Sequence, residues 1–218
     1  MLTPFQTRAR GALTESPIFK DLADDCMRWV HPVSVRKGEI LLEKGEPSTA
    51  LFGLICGTIK LCAADETGRQ ISFGLLGPGG LIGEIGISSG APQHANVVAL
   101  AHCELAAIKS RDLNRLLERH LELRNSLAHA AAEAALRLSQ RIEDAAFLTT
   151  EARIEKTLLD FTHRFGERID GGIRVALRQQ DLADVLGLSR ESVNRVLTSG
   201  SMRGRIELGR GRIVLLGA

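Results

Sequence analysis

The stretch Gln179–Thr198, QQDLADVLGLSRESVNRVLT, decides the reading of this chain. Ala183 is small where one helix must come close to another, and four residues later Gly187 can take the positive φ that a tight interhelical turn requires. Leu188 then drops toward the core, and Ser189 offers a hydroxyl to the first amides of the next helix. That helix opens on Arg190, Glu191 and Ser192, and its apolar stripe is Val193, Val196 and Leu197. At 3.6 residues per turn, Arg190, Glu191, Asn194 and Arg195 share the opposite face. Those are groups that read base edges in a major groove: Arg on guanine, Glu on cytosine, Asn on adenine. A solvated helix in an ordinary helical hairpin has the same spacing, so the flanking sequence has to weigh between the two.

It weighs toward DNA. Ile206–Leu216 contains two short apolar runs, IELG and RIVLL, around a turn at Gly209-Arg210-Gly211, which predicts a hairpin after the helix pair and so a winged helix. Arg210 and Arg212 at the hairpin tip, with Arg203 and Arg205 before it, fall where phosphates would lie and would set register without reading sequence. Arg178 and Gln180, opening the first helix, complete the DNA-facing set with Ser189. The whole chain carries only +2, yet from Gly171 to Ala218 eight arginines stand against four acidic residues, a local +4.

At 218 residues the chain is longer than one small core needs. With 44% hydrophobic and 25% charged residues its composition is that of an ordinary soluble protein. No apolar run reaches the eighteen or so residues of a spanning helix and no basic start precedes an apolar segment, so a cytoplasmic protein without membrane partners is expected. Cys26, Cys56, Cys62 and Cys103 are scattered, with no C-x2-C pair to begin a zinc or iron–sulfur site. They read as core thiols, with redox sensing by one of them left open.

Phe5–Arg28 reads as an amphipathic helix. Val33–Ile108 then changes to short apolar runs between glycines (EILL, LFGLI, TIKLCA, QISFGLL, with a polar turn at Asp65–Arg69), which predicts about eight antiparallel strands in a barrel or roll. Ser110 to about Phe147 turns helical, and Leu127, Ala131, Ala134, Leu138 and Ala145 form a three-four seam interrupted by Arg141. Such a seam suits a homodimer, because a two-fold protein can engage two half-sites about one DNA turn apart. Packing of this helix solely on its own β domain is the alternative. The fold class expected is α+β, with a jelly-roll β sensor over 1–109, a dimerisation helix over 110–147 and a winged helix-turn-helix over 148–218.

This order of elements resembles the Crp/Fnr family of bacterial transcription regulators over nearly the whole chain. The marks are Lys37-Gly38-Glu39, Glu43-Lys44-Gly45-Glu46, Gly57, Gly68, Pro78-Gly79, Leu81-Ile82-Gly83-Glu84, Ala146-Phe147-Leu148 and Ser189–Arg195. The resemblance implies a homodimer on a palindromic operator in double-stranded DNA, acting on RNA polymerase, with no catalytic residues and no metal. By position it makes Arg190, Glu191 and Arg195 the readers of a TGTGA-type half-site. The fumarate–nitrate branch is less similar at Arg190, where it usually has an apolar residue.

The effector pocket implied by the resemblance comprises Gly83, Glu84, Ile85, Gln93, His94, Leu138 and Ser139. Cyclic-nucleotide members need an arginine on the cyclic phosphate, and counting back from Cys103–Ile108 that position falls on Gln93, beside His94. A neutral amide cannot replace a bidentate guanidinium, although a protonated His94 would compensate in part. The residues that meet the adenine are here Leu138 and Ser139, so only the serine remains. Cyclic AMP is therefore disfavoured, and the effector is left open among another nucleotide, heme (His31, His94 or His102), a thiol signal, or none. A cupin-like metal enzyme would have to use His94, His102 and Glu104, which leaves the winged helix unexplained. A nucleotide-sensing module acting on a protein partner is a further alternative and predicts no specific operator. After Leu197 the run Thr198-Ser199-Gly200-Ser201-Met202-Arg203 weakens the recognition helix, with Gly200 costing about 1 kcal/mol of helix propensity relative to Ala.

Overall fold

In the computed structural model, all residues are described except Met1, Glu15, Pro17, Asp65, Thr67, Gly68, Arg69, Ser201, Arg203 and Ala218, and the side chain of Asp25. Most of the expected Asp65–Arg69 turn, with Gly68, and also Arg203 and Ser201 of the sequence reading, thus lie outside the described residues. Two compact units result, one of residues 1–63 with 73–138 and the other of 139–218 with 64–72.

In the first unit, α1 (Pro4–Ala12) starts on a capping box in which Thr3 accepts from the Gln6 amide and the Gln6 side chain accepts from the Thr3 amide. The single helix expected over Phe5–Arg28 is broken: α1 stops at Ala12, and a 3-10 turn follows at Asp24–Trp29. Gly11, Thr14 and Ser16 are weak helix formers, and a proline at 17 lacks the amide that a continuous helix needs. Among the described residues eight strands follow, as expected: β1 (His31–Val35), β2 (Ile40–Leu42), β3 (Ala50–Cys56), β4 (Ile59–Ala64), β5 (Gln70–Leu76), β6 (Leu81–Ile82), β7 (Asn96–Ala99) and β8 (Cys103–Lys109). A short helix, α2 (Glu84–Ser89), interrupts them. They form two four-stranded sheets, β1-β8-β3-β6 and β2-β7-β4-β5.

Strands β3 and β8 are buried on both faces over Ala50–Ile55 and Leu105–Ile108, and there their sequences are unbroken apolar runs. Phe52, Leu54, Leu105 and Ala107 point into a core with Leu42, Ile59 and Val97 of the other sheet. Their neighbours Leu51, Ile55, Ala106 and Ile108 face the opposite way, into a second core. That second core is filled by Leu13, Phe19 and Met27, by Leu113 and Leu116 of α3 (Ser110–Arg119), and by Leu123, Leu127 and Ala130 of α4 (Leu121–Phe147). Gly53 permits this packing, because a Cβ there would stand 2.7 Å from the Phe19 ring.

Helix α4 divides the residues of the expected seam. Leu127 belongs to the core of its own domain, Ala131, Ala134 and Leu138 are half-buried, as is Arg141, and Ala145 is exposed. The row one residue further on, Ala128, Ala132, Ala135, Ser139, Ile142 and Ala146, has the same 4-3-4-3-4 spacing and is exposed throughout. Beside it Leu136 is 69% exposed, and Ile142 itself is 73% exposed. In an alanine-rich helix two adjacent rows satisfy one periodicity, and only contact with the β domain separates them.

The second unit contains α5 (Thr150–Phe165), capped by Thr149, then β9 (Glu167–Ile169), β10 (Gly172–Val175), α6 (Gln179–Leu186), α7 (Arg190–Leu197), β11 (Ile206–Gly209) and β12 (Arg212–Leu216). The strands form one antiparallel sheet in the order β11-β12-β10-β9. The hairpin β9–β10 was missed in the sequence, although its Asp170-Gly171 turn between ERI and GIRV is a hairpin signal. Ile154, Leu158, Phe161, Val175, Leu182, Val193, Val196 and Ile213 are buried in this unit.

Candidate nucleic-acid interface

The turn between α6 and α7 is closed by backbone chemistry. Gly187 lies at φ 64°, its amide donates to Asp184 O, and the Leu188 amide donates to Ala183 O at 3.0 Å. These are the paired bonds of a Schellman ending, which a glycine makes without strain. Leu188 is half-buried, short of the core position expected for it. Ser189 caps α7 by accepting from the Ser192 amide at 3.1 Å. Val193, Val196 and Leu197 are buried, as the spacing required, while Arg190, Glu191, Asn194 and Arg195 are exposed side by side. Among the described residues, none of these four side chains is engaged in an ion pair or hydrogen bond within the chain. Two guanidiniums, a carboxylate and a carboxamide are therefore presented to solvent with their full hydrogen-bonding capacity.

The other expected DNA-facing residues divide. Arg178 is clamped on the buried carboxylate of Asp181 by two parallel bonds of 2.8 Å, which hold its charge more firmly than usual, and Asp181 also accepts from the Arg178 amide. Gln180 donates to Asp184 at 2.7 Å. Arg205 is tied to Glu155 of α5. Arg210 and Arg212 remain exposed on the hairpin, in the register Gly209↔Arg212. A cleft of about 470 Å³ separates the hairpin from the start of α6, and Arg178, Arg190, Arg210 and Arg212 all line it. Three of these arginines, Arg190, Arg210 and Arg212, have no carboxylate partner among the described residues and concentrate positive potential there. The recognition helix ends at Leu197, as Gly200 led one to expect, and Thr198 and Ser199 close it by donating hydroxyls to Asn194 O and Val196 O. Buried Met202 follows.

The pocket of the first unit lies over α2. Gly83 precedes that helix and Glu84, its first residue, is buried, which pushes the carboxyl above its ordinary range, while a backbone hydrogen bond and the charge of Arg137 act the other way. Gln93 is 5% exposed; its backbone is bonded to Gly45 and Glu46, and its side-chain Nε2 has no hydrogen-bond partner among the described residues. The same is true of His94 Nδ1. The His94 ring lies 5.8 Å from that of Phe73, and burial holds its imidazole below the ordinary range. His94 lines an open cavity of about 470 Å³ with Ile85, Ser88, Ala131, Ala135 and Leu138. Ser139, next in α4, is exposed. None of the described residues lining the cavity is a fixed cation, so this lining does not fit a cyclic phosphate; Gly83, Glu84 and Gln93 do not line it, nor does Arg137, whose charge acts on Glu84.

A sheeted N-terminal domain, a long helix and a winged helix-turn-helix with an exposed polar face on α7 define a DNA-binding transcription regulator. Comparison agrees: residues 32–120 match the cyclic nucleotide-binding domain family, and residues 152–217 match the Crp-like helix-turn-helix domain. The chain belongs to the Crp/Fnr family. It is 28% identical over 189 residues to the CRP-like cAMP-activated global transcriptional regulator of Mycobacterium tuberculosis, covering 86% of this chain and 84% of that one. It is 26% identical over 211 residues to the cAMP-activated global transcriptional regulator Vfr of Pseudomonas aeruginosa, covering 94% and 98%. A solved CRP/FNR transcriptional regulator from Thermus thermophilus superposes with a TM-score of 0.71 at 25% identity, covering 85% and 93%. Among the described residues no helix is long and apolar enough to cross a membrane.

Proposed function

We propose that this protein regulates transcription as a homodimer on a palindromic TGTGA-like operator, and that it does so without cyclic AMP. The observation that carries the reading is the exposed, unengaged row Arg190, Glu191, Asn194 and Arg195 on α7. Arg190 and Arg195 pair with guanines, Glu191 accepts from cytosine, and Ser189, Gln180, Arg210 and Arg212 hold the backbone. Arg178 acts through Asp181, bracing the start of α6 beside the groove. The exposed row Ala128, Ala132, Ala135, Ser139, Ile142 and Ala146 supports a helix-to-helix dimer, since small residues allow close approach. Independence from cyclic AMP sets this chain apart from the cAMP-activated relatives and is supported by Gln93, the neutral His94 and Leu138.

The test is a fluorescence-anisotropy titration of the full chain against a TGTGA palindrome and a scrambled duplex at fixed salt, with and without cyclic AMP. Specific binding without nucleotide is expected. Binding that arises only with cyclic AMP overturns the pocket reading, and equal binding to both duplexes overturns the operator.

A further inference from the structure

Away from both sites, one group of side chains joins a nucleophile, a base and positive charge. Cys26, in the 3-10 turn, places its Sγ 3.7 Å from Nε2 of His120, whose Nδ1 lies 3.2 Å from Glu122 Oε1. A proton on Nδ1, donated to that carboxylate, leaves the Nε2 lone pair toward sulfur. In that tautomer the thiol proton has an acceptor in place. A cleft of about 360 Å³ opens at this point, lined by Cys26, Trp29 and His120 and by the guanidinium-bearing Arg28, Arg115 and Arg119. Arg28 lies over the Trp29 ring, and Arg115 reaches Asp112 at 3.6 Å.

The other three cysteines sit on strands β3, β4 and β8. The Cys103 thiol donates to Thr58 O and Ala101 O, and burial pushes it upward. Cys62 is buried in β4, and Cys56 is half-buried at the end of β3.

We propose that Cys26, His120 and Glu122 form a reaction centre for hydroperoxides. The thiol proton passes to His120 Nε2. The sulfur then attacks the distal peroxide oxygen, the O–O bond breaks, and Cys26 becomes a sulfenic acid. The departing oxygen takes the proton back from His120 and leaves as water or an alcohol. Sulfur is oxidised by two electrons and the peroxide is reduced by two. Arg28, Arg115 and Arg119 face the charge that develops on the leaving oxygen. Cys26 is only 3% exposed, which admits a small oxidant and excludes a bulky disulfide. The position also connects to the fold: His120 ends α3, α4 begins at the next residue, and Cys26 shares a core with Leu123, Leu127 and Ala130 of α4.

The experiment exposes the reduced full-length chain to hydrogen peroxide, quenches it at timed intervals into denaturant containing dimedone, so that access no longer limits trapping, and follows each cysteine by peptide mass spectrometry. Cys26 is expected to become sulfenic acid at least about tenfold faster than Cys56, Cys62 or Cys103. His120→Gln should slow Cys26 by about a hundredfold while leaving the other three unchanged, the loss expected of a positioned base. Comparable rates at all four cysteines in the wild-type chain overturn the proposal, whether or not the variant folds, and so does an unchanged Cys26 rate in a folded His120→Gln. No DNA enters the measurement, so its outcome is separate from that of the operator test.

Discussion

In the proposed function Arg195 and Arg212, two arginines of one domain, do different work. Arg195 stands on the row of α7 that faces away from the core, and its fork can meet guanine O6 and N7 together. Arg195→Ala is expected to cost about 1–3 kcal/mol of discrimination at the base pair it reads, seen as convergence of the operator and scrambled titrations. Arg212→Ala should instead weaken both duplexes alike and lower the slope of log K against log salt by about 1. In the pocket, Glu84 makes stability depend on pH. Its folded value is raised by burial, so its contribution is present below the ordinary glutamate range, near pH 4, and is lost as pH rises through the raised value. Glu84→Gln cannot ionise, so its melting temperature should gain on the wild type between pH 4 and pH 7, and an equal difference at both would contradict the desolvation account. Some residue roles could not be read from the sequence because partners distant in the chain decide them. Nothing in Arg205 announces Glu155, fifty residues earlier, and nothing in Cys26 announces His120. Arg178 could have been read, since Asp181 stands three residues on, at the spacing of a capping contact.

Elements were legible where their logic is local. The helix pair α6–α7 follows from Ala183, Gly187 and Ser189 within a few residues, and β3 follows from an apolar run too short for a helix. Helix α4 was legible as a helix but not as to which way it faces, because facing is set by the β domain it packs on. That distinction can be measured. Leu127→Ala removes a side chain shared with Leu123, Met27 and Leu116 and should destabilise the first unit by about 2–5 kcal/mol in urea unfolding. Leu136→Ala, nine residues on and exposed, should leave that unfolding within about 0.5 kcal/mol at concentrations low enough to hold the chain monomeric. If the two variants change places, the seam expected from Leu127 is restored and the exposed row is surface.

At the scale of the whole molecule, one α7 offers four exposed side chains for the proposed base reading, and its modest local charge cannot by itself select a site in a genome. Joining two such domains makes the second half-site contact intramolecular, which multiplies affinity by roughly 10²–10⁴ without any new residue. The exposed row of α4 is where this chain can make that join, and it contains no charged side chain between Ala128 and Ala146. Placing one carboxylate on it and one beside it, as in Ile142→Glu with Leu136→Glu, sets like charges against each other across a two-fold axis while leaving the β cores and the winged helix untouched. Sedimentation should then report a monomer, and the palindrome should lose roughly 10²–10⁴ in affinity, whereas a single half-site duplex should bind as the wild type does. A double variant that still sediments as a dimer would move the interface off α4. One that is monomeric yet keeps full affinity for the palindrome would remove the need for a dimer altogether.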